Sequence, residues 1–73
     1  MVGQAYDNLG TAYRGLREYR RAIEYHEKAL AILLKLYPNG QHPYIATSYV
    51  NLSEDYRGLG DNRKAAEYTR KAQ

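Results

Sequence analysis

The feature that most limits what this chain can become is that it repeats itself. Shifted by 43 residues, so that Leu9 falls on Leu52, the residues Tyr6, Asn8, Leu9, Tyr13, Arg14, Gly15 and Leu16 coincide with Tyr49, Asn51, Leu52, Tyr56, Arg57, Gly58 and Leu59. Beyond an intervening turn, Arg20, Ala22, Glu24, Tyr25, Lys28 and Ala29 coincide with Arg63, Ala65, Glu67, Tyr68, Lys71 and Ala72. These 13 identities over about 30 gap-free positions far exceed what unrelated segments share. A repeat of this length marks a stacked architecture, in which one supersecondary unit buries its apolar face against the next.

Each unit carries two helical periods. Val2, Ala5, Tyr6, Leu9, Ala12, Tyr13 and Leu16 recur at steps of three and four, and so do Tyr19, Ala22, Ile23, His26, Ala29, Leu30, Leu33 and Leu36. The second unit repeats the pattern with Ile45, Tyr49, Leu52, Tyr56 and Leu59, then Ala65, Ala66, Thr69 and Ala72. Between them lies Tyr37-Pro38-Asn39-Gly40-Gln41-His42-Pro43, where Asn-Gly favours left-handed backbone and Pro43 suits a first helical turn. The pattern predicts helices over 2–15, 18–36, 43–58 and 62–72 with no strand. The units are a first helix pair at 1–37, a connection at 38–43 and a second pair at 44–73. Tyr13 and Tyr56 are expected beside the small residues Ala22 and Ala65.

Local chemistry supports these boundaries. Glu24 with Lys28, and Glu67 with Lys71, are i,i+4 pairs in the favourable order at equivalent sites. Asp61 suits an N-cap, and Gly60 suits the left-handed residue that ends a helix. The counterpart of Gly60 is Arg17, for which that conformation costs about 1 kcal/mol. A different turn is therefore expected there, or a helix that ends early, at Gly15.

Seventy-three residues give one small domain, and the absence of cysteine leaves packing alone to stabilise it. Nine tyrosines, with no Trp or Phe, suit half-buried seams better than a deep core. The net charge of +3 comes from Arg and Lys interleaved with Glu and Asp, a pattern of solvated helix faces and not of a nucleic-acid surface. No run approaches the roughly 20 apolar residues of a membrane span, and the first residues do not form a secretory signal. The expectation is a cytoplasmic protein that engages neither nucleic acid nor membrane.

In these residues the chain resembles the tetratricopeptide repeat. Tyr6, Leu9-Gly10, Tyr13, Ala22 and Ala29 fit the pattern in the first unit, and Tyr49, Leu52, Tyr56, Ala65 and Ala72 fit it in the second. His26 and Thr69 stand where that pattern has an aromatic, with Tyr25 and Tyr68 one place earlier. The long period, the Gly40-Gln41-His42-Pro43-Tyr44-Ile45-Ala46 segment and the pairs Asn8-Leu9 and Asn51-Leu52 resemble the roughly 42-residue repeats of kinesin light chains. The resemblance implies an all-α fold: two helix-turn-helix repeats, four antiparallel helices, forming a short right-handed superhelical solenoid segment. Ser53 and Asp55 depart from Gly10 and Ala12, and a carboxylate on the helix seam is costly alone. Asp55 either turns to water or bonds across to another helix.

The residues offer no catalytic constellation. Two histidines lack co-ligands for a metal, and added zinc is expected to leave thermal unfolding unchanged. His26 reads as a structural residue of the packing face and His42 as a cap. Glu54 and Asp55 diverge by about 100° around a helix, and no Gly-rich phosphate loop is present. No cofactor or enzyme activity is expected. What the resemblance implies instead is a scaffold that docks a peptide or helix of a partner on the concave face lined by the first helices. The groove candidates are Gln4, Asp7, Asn8, Thr11 and Arg14, then Thr47, Val50, Asn51, Glu54 and Arg57. In this reading the two Asn bond the peptide backbone, and Arg14 and Arg57 pair with its acidic side chains. Chaperone-binding members clamp a terminal carboxylate with lysines, but Asp7 and Thr11 stand where such a clamp has Lys and Asn. The cluster Arg14, Arg17, Arg20 and Arg21 reads as a solvated turn or a seat for an acidic segment. The alternative function is self-association through uncovered helix faces, as a dimer or by exchange of helices about 38–43.

Overall fold

The computed structural model describes residues 2–73, and neither Met1 nor the side chain of Val2 is part of that description. The order is α1 (Val2–Gly15), α2 (Tyr19–Leu36), α3 (Pro43–Leu59) and α4 (Asn62–Ala72), with no strand among the described residues. These bounds agree with the periodicity to within one residue.

Both helix pairs close with the same turn. Glu18 donates its N–H to the Tyr13 carbonyl at 2.9 Å, and Arg17 donates to Arg14 at 2.9 Å. In the second pair Asp61 donates to Tyr56 at 2.9 Å and Gly60 to Arg57 at 3.1 Å. This double bond pattern needs a left-handed residue between the helices. Gly60 supplies it with φ 96°, and Arg17 adopts it too, with φ 63°. The expected early end at Gly15 is what forms, but the expectation that the turn would avoid a left-handed Arg17 is corrected. Two satisfied helix carbonyls offset the strain of one side chain.

The connection between the pairs is also built from local bonds. Asn39 Oδ1 accepts from the Gln41 N–H at 3.0 Å, and Gly40 takes φ 71°. His42 caps α3, its Nδ1 accepting from the Tyr44 N–H at 3.1 Å, with Pro43 in the first turn. The imidazole of His42 stacks on Tyr37 at a centroid separation of 3.9 Å.

Helix α2 is the hinge of the packing: it lies against α1 within its own repeat and against α3 of the next. The Cα envelope measures 30 × 25 × 14 Å, so the core is thin and few side chains are wholly enclosed. Its centre is Leu52, Tyr56 and Ala65, with Ile23 and Leu30 of α2 and Tyr68 of α4 packed on them. Leu52 is 0 % exposed, a burial that contributes about 2 kcal/mol. The tyrosines form two matching stacks. Tyr25 stacks on Tyr13 at 5.5 Å and on Tyr6 at 6.1 Å, with Lys28 above it at 5.3 Å. Tyr68 stacks on Tyr56 at 5.6 Å, with Tyr49 at 6.0 Å and Lys71 above it at 5.3 Å.

Candidate functional site

Of the helix pairs in contact α1 and α3 touch least, and the gap between them forms a cavity of about 450 Å³. Its wall takes Gln4, Asp7, Asn8 and Thr11 from α1, and Thr47 and Asn51 from α3. Those six share a helical face on each side, spaced at three and four residues. Leu33 of α2 and Tyr44 at the start of α3 complete the lining. Sequence reasoning missed these two. Leu33 belongs to the apolar stripe of a second helix, whereas Tyr44, in the first turn of α3, shares the face of Thr47 and Asn51 at a spacing of three and seven residues. Val50, Glu54 and Arg57 are exposed but do not line the cavity.

Arg14 does not line it either. Its guanidinium turns inward, its Nη1 reaching Glu54 Oε2 at 3.0 Å, Asp55 Oδ1 at 3.5 Å and the Asn51 carbonyl at 3.4 Å. Arg14, expected on the groove face, is thus engaged within the molecule. Its partner Asp55 is 0 % exposed, and the other oxygen of Asp55 pairs with Nδ1 of the equally buried His26. Of the two readings of Asp55, the bond across helices is the one found. A buried carboxylate needs such partners because its desolvation is otherwise uncompensated. The network ties α1, α2 and α3 directly behind the cavity.

Asp7 sits between this network and the open cavity. One carboxylate oxygen, Oδ1, is buried without a hydrogen-bond partner, as is Nε2 of His26. Burial raises the Asp7 carboxyl above its usual value; the nearby His26 works against that rise and Asp55 adds to it. At the far seam, burial and then the Glu27 carboxylate push the Tyr56 hydroxyl up to about 12. Glu27 of α2 accepts a hydrogen bond from that hydroxyl at 3.4 Å.

The family model for the tetratricopeptide repeat matches residues 1–73, the whole span of both helix pairs. The chain belongs to the tetratricopeptide repeat family. No curated protein matches it. Tetratricopeptide repeats are in general protein–protein interaction scaffolds, and typically non-catalytic ones. This member departs from the family pattern where the pattern has an aromatic on the second helix, and the departure has a geometric counterpart. The His26 ring lies so close to Gly10 that a Cβ there would come within 2.6 Å of it. In the second repeat Ser53 replaces the glycine and Thr69 replaces the ring, and their hydroxyls meet at 2.6 Å. That His26 and Asp55 both break the pattern was the available signal that they meet.

The arginine cluster divides. Arg17, Arg20 and Arg21 border a second depression, of about 410 Å³, with Glu18, Tyr19 and Leu59, while Arg14 points into the network. Arg21 pairs with Glu18 at 3.5 Å. Among the described residues no helix is long and apolar enough to cross a membrane, and no group of three or more His, Cys, Asp or Glu is placed to hold a metal.

Proposed function

We propose that this tetratricopeptide scaffold docks an extended segment of a partner protein in the cavity between α1 and α3. The observation that carries the reading is the repetition of a carboxamide: Asn8 and Asn51, equivalent in the 43-residue repeat, stand on opposite walls of one cavity. Each amide offers a donor and an acceptor, so together they can match the N–H and C=O of an extended backbone whatever its side chains. Gln4 and Thr47, also equivalent, extend this polar lining along the same direction. Two repeats make a short site, so the affinity expected is about micromolar. Replacing Asn51 with Ala should weaken peptide binding by about 1 kcal/mol and leave the melting temperature almost unchanged. A loss of stability with binding intact would make Asn51 a structural residue and end the assignment.

A second reading, self-association, draws on a different surface. Leu9 is 43 % exposed in the first repeat, where its equivalent Leu52 is buried under α2, and Leu16 beyond it is 68 % exposed. Light scattering on the eluting chain distinguishes the two readings: a dimer at micromolar concentration supports this one, and a stable monomer removes it.

A further inference from the structure

We infer that the cavity between α1 and α3 seats a basic side chain of the docked segment, a lysine or arginine, against the Asp7 carboxylate and the Tyr44 ring. This inference rests on the docking reading above and specifies the chemistry of the segment that the cavity accepts.

The sign of the charge follows from what the wall contains. Of the eight residues that line the cavity, Asp7 is the only one that bears a formal charge. The two arginines equivalent in the repeat are not rivals for it. Arg14 is consumed by Glu54, Asp55 and a backbone carbonyl, and Arg57 lies outside the wall. An acidic side chain entering the cavity would meet a carboxylate of its own sign and no free cation on the wall. A basic one would meet its complement.

The wall also suits the shape of such a side chain. Leu33 and Tyr44 supply apolar surface for a methylene stem, and an aromatic ring on the wall is a surface to which a cation is drawn. Tyrosine–cation contacts already recur in this molecule, with Lys28, Lys64 and Lys71 each 5.3–5.9 Å from a tyrosine centroid. The Asn8, Thr11 and Asn51 side chains carry oxygen acceptors for the remaining N–H groups. Burial makes the unpaired Asp7 carboxylate costly, and an incoming cation relieves that cost. The overall charge of +3 does not oppose this. Exposed charges are screened within about 8 Å at physiological salt, whereas a half-buried carboxylate is screened much less.

The test titrates the isotope-labelled chain with three degenerate heptapeptide mixtures, blocked at both ends and identical except for a central Lys, Glu or norleucine, and follows backbone amide shifts. The Lys mixture should shift the amides of Gln4, Asp7, Asn8, Thr11, Thr47 and Asn51 at concentrations about tenfold lower than the norleucine mixture. The Glu mixture should be the weakest of the three. Asp7→Asn should erase the advantage of Lys over norleucine, and the helical melt, recorded alongside, should not fall. Tyr44→Ala, at a position 58 % exposed and so harmless to the fold, should weaken the Lys mixture most. If norleucine or Glu shifts the same amides equally well, the docking reading stands and the basic assignment is overturned. If none of the mixtures shifts them, the docking reading fails and this inference with it.

Discussion

The two repeats have nearly the same residues at the same seam, yet one seam is closed and the other open. In the second repeat Leu52 is fully buried because Ile23 and Leu30 of α2 press on it, and Tyr56 finds Glu27. In the first repeat the equivalent Leu9 is 43 % exposed, and the stack of Tyr6, Tyr13 and Tyr25 is only half-buried. The glycines show the same contrast. A Cβ at Gly58 would come within 2.1 Å of the Tyr19 ring, whereas one at the equivalent Gly15 meets nothing within 4 Å. Identical residues therefore do different work according to whether another helix packs on them. Sequence identity fixes the surface, and the neighbour decides its burial.

The sharpest way to break this comparison is at the buried network of His26, Asp55 and Arg14, which among the described residues occurs only at the seam between the repeats. Asp55→Ala leaves the buried His26 Nδ1 without its carboxylate and takes one of three partners from Arg14, which keeps Glu54 and the Asn51 carbonyl. The expected loss is about 3–5 kcal/mol, measured by urea unfolding. A loss below about 1 kcal/mol would show that the network contributes little to holding α3 against α1 and α2.

Next in size is the glycine pair. Gly58→Ala should cost about 1–3 kcal/mol, since the Tyr19 ring must leave its place between helices. Gly15→Ala should instead stabilise the chain, by up to about 1 kcal/mol, through helix propensity in open space. Opposite signs at equivalent positions are the expected signature of a filled and an empty socket. Equal signs would mean that the seams are alike in solution, as when a second copy covers the first repeat.

The smallest effect belongs to the turns. Arg17→Gly should raise stability by about 1 kcal/mol, and Gly60→Arg should lower it by a similar amount, because both turns use the same left-handed residue. Thermal melts of the two variants suffice to check it.

The helices were legible in the sequence because apolar spacing, turn-forming residues and a second copy of the same pattern all agreed. Even the cap at His42 could be named from its place before Pro43. The cavity was legible in part, since a helical face can be scanned residue by residue. What escaped was Arg14, whose position on the wheel is shared with groove residues but whose direction is set by a carboxylate 41 positions away. Periodicity within one helix carries no information about a bond to another. Leu33 escaped for the same reason, reaching the cavity from α2, whereas Tyr44 shares the face of Thr47 and Asn51 and was legible by the same spacing.

The side chains that α2 inserts into the second repeat bear on the symmetry open to assemblies of this chain. Tyr19, Ile23, Glu27 and Leu30 make that contact, and their equivalents on α4 and its C-cap are Asn62, Ala66, Arg70 and Gln73, all exposed. A second copy added head to tail would set Arg70 in the place of the hydrogen-bond acceptor and put Ala and Gln where Ile and Leu are needed. Heterologous addition of that kind, which propagates into open filaments, is therefore poorly matched. Two copies meeting through their tyrosine faces would instead be isologous, each face serving as its own complement, and such an assembly closes at two.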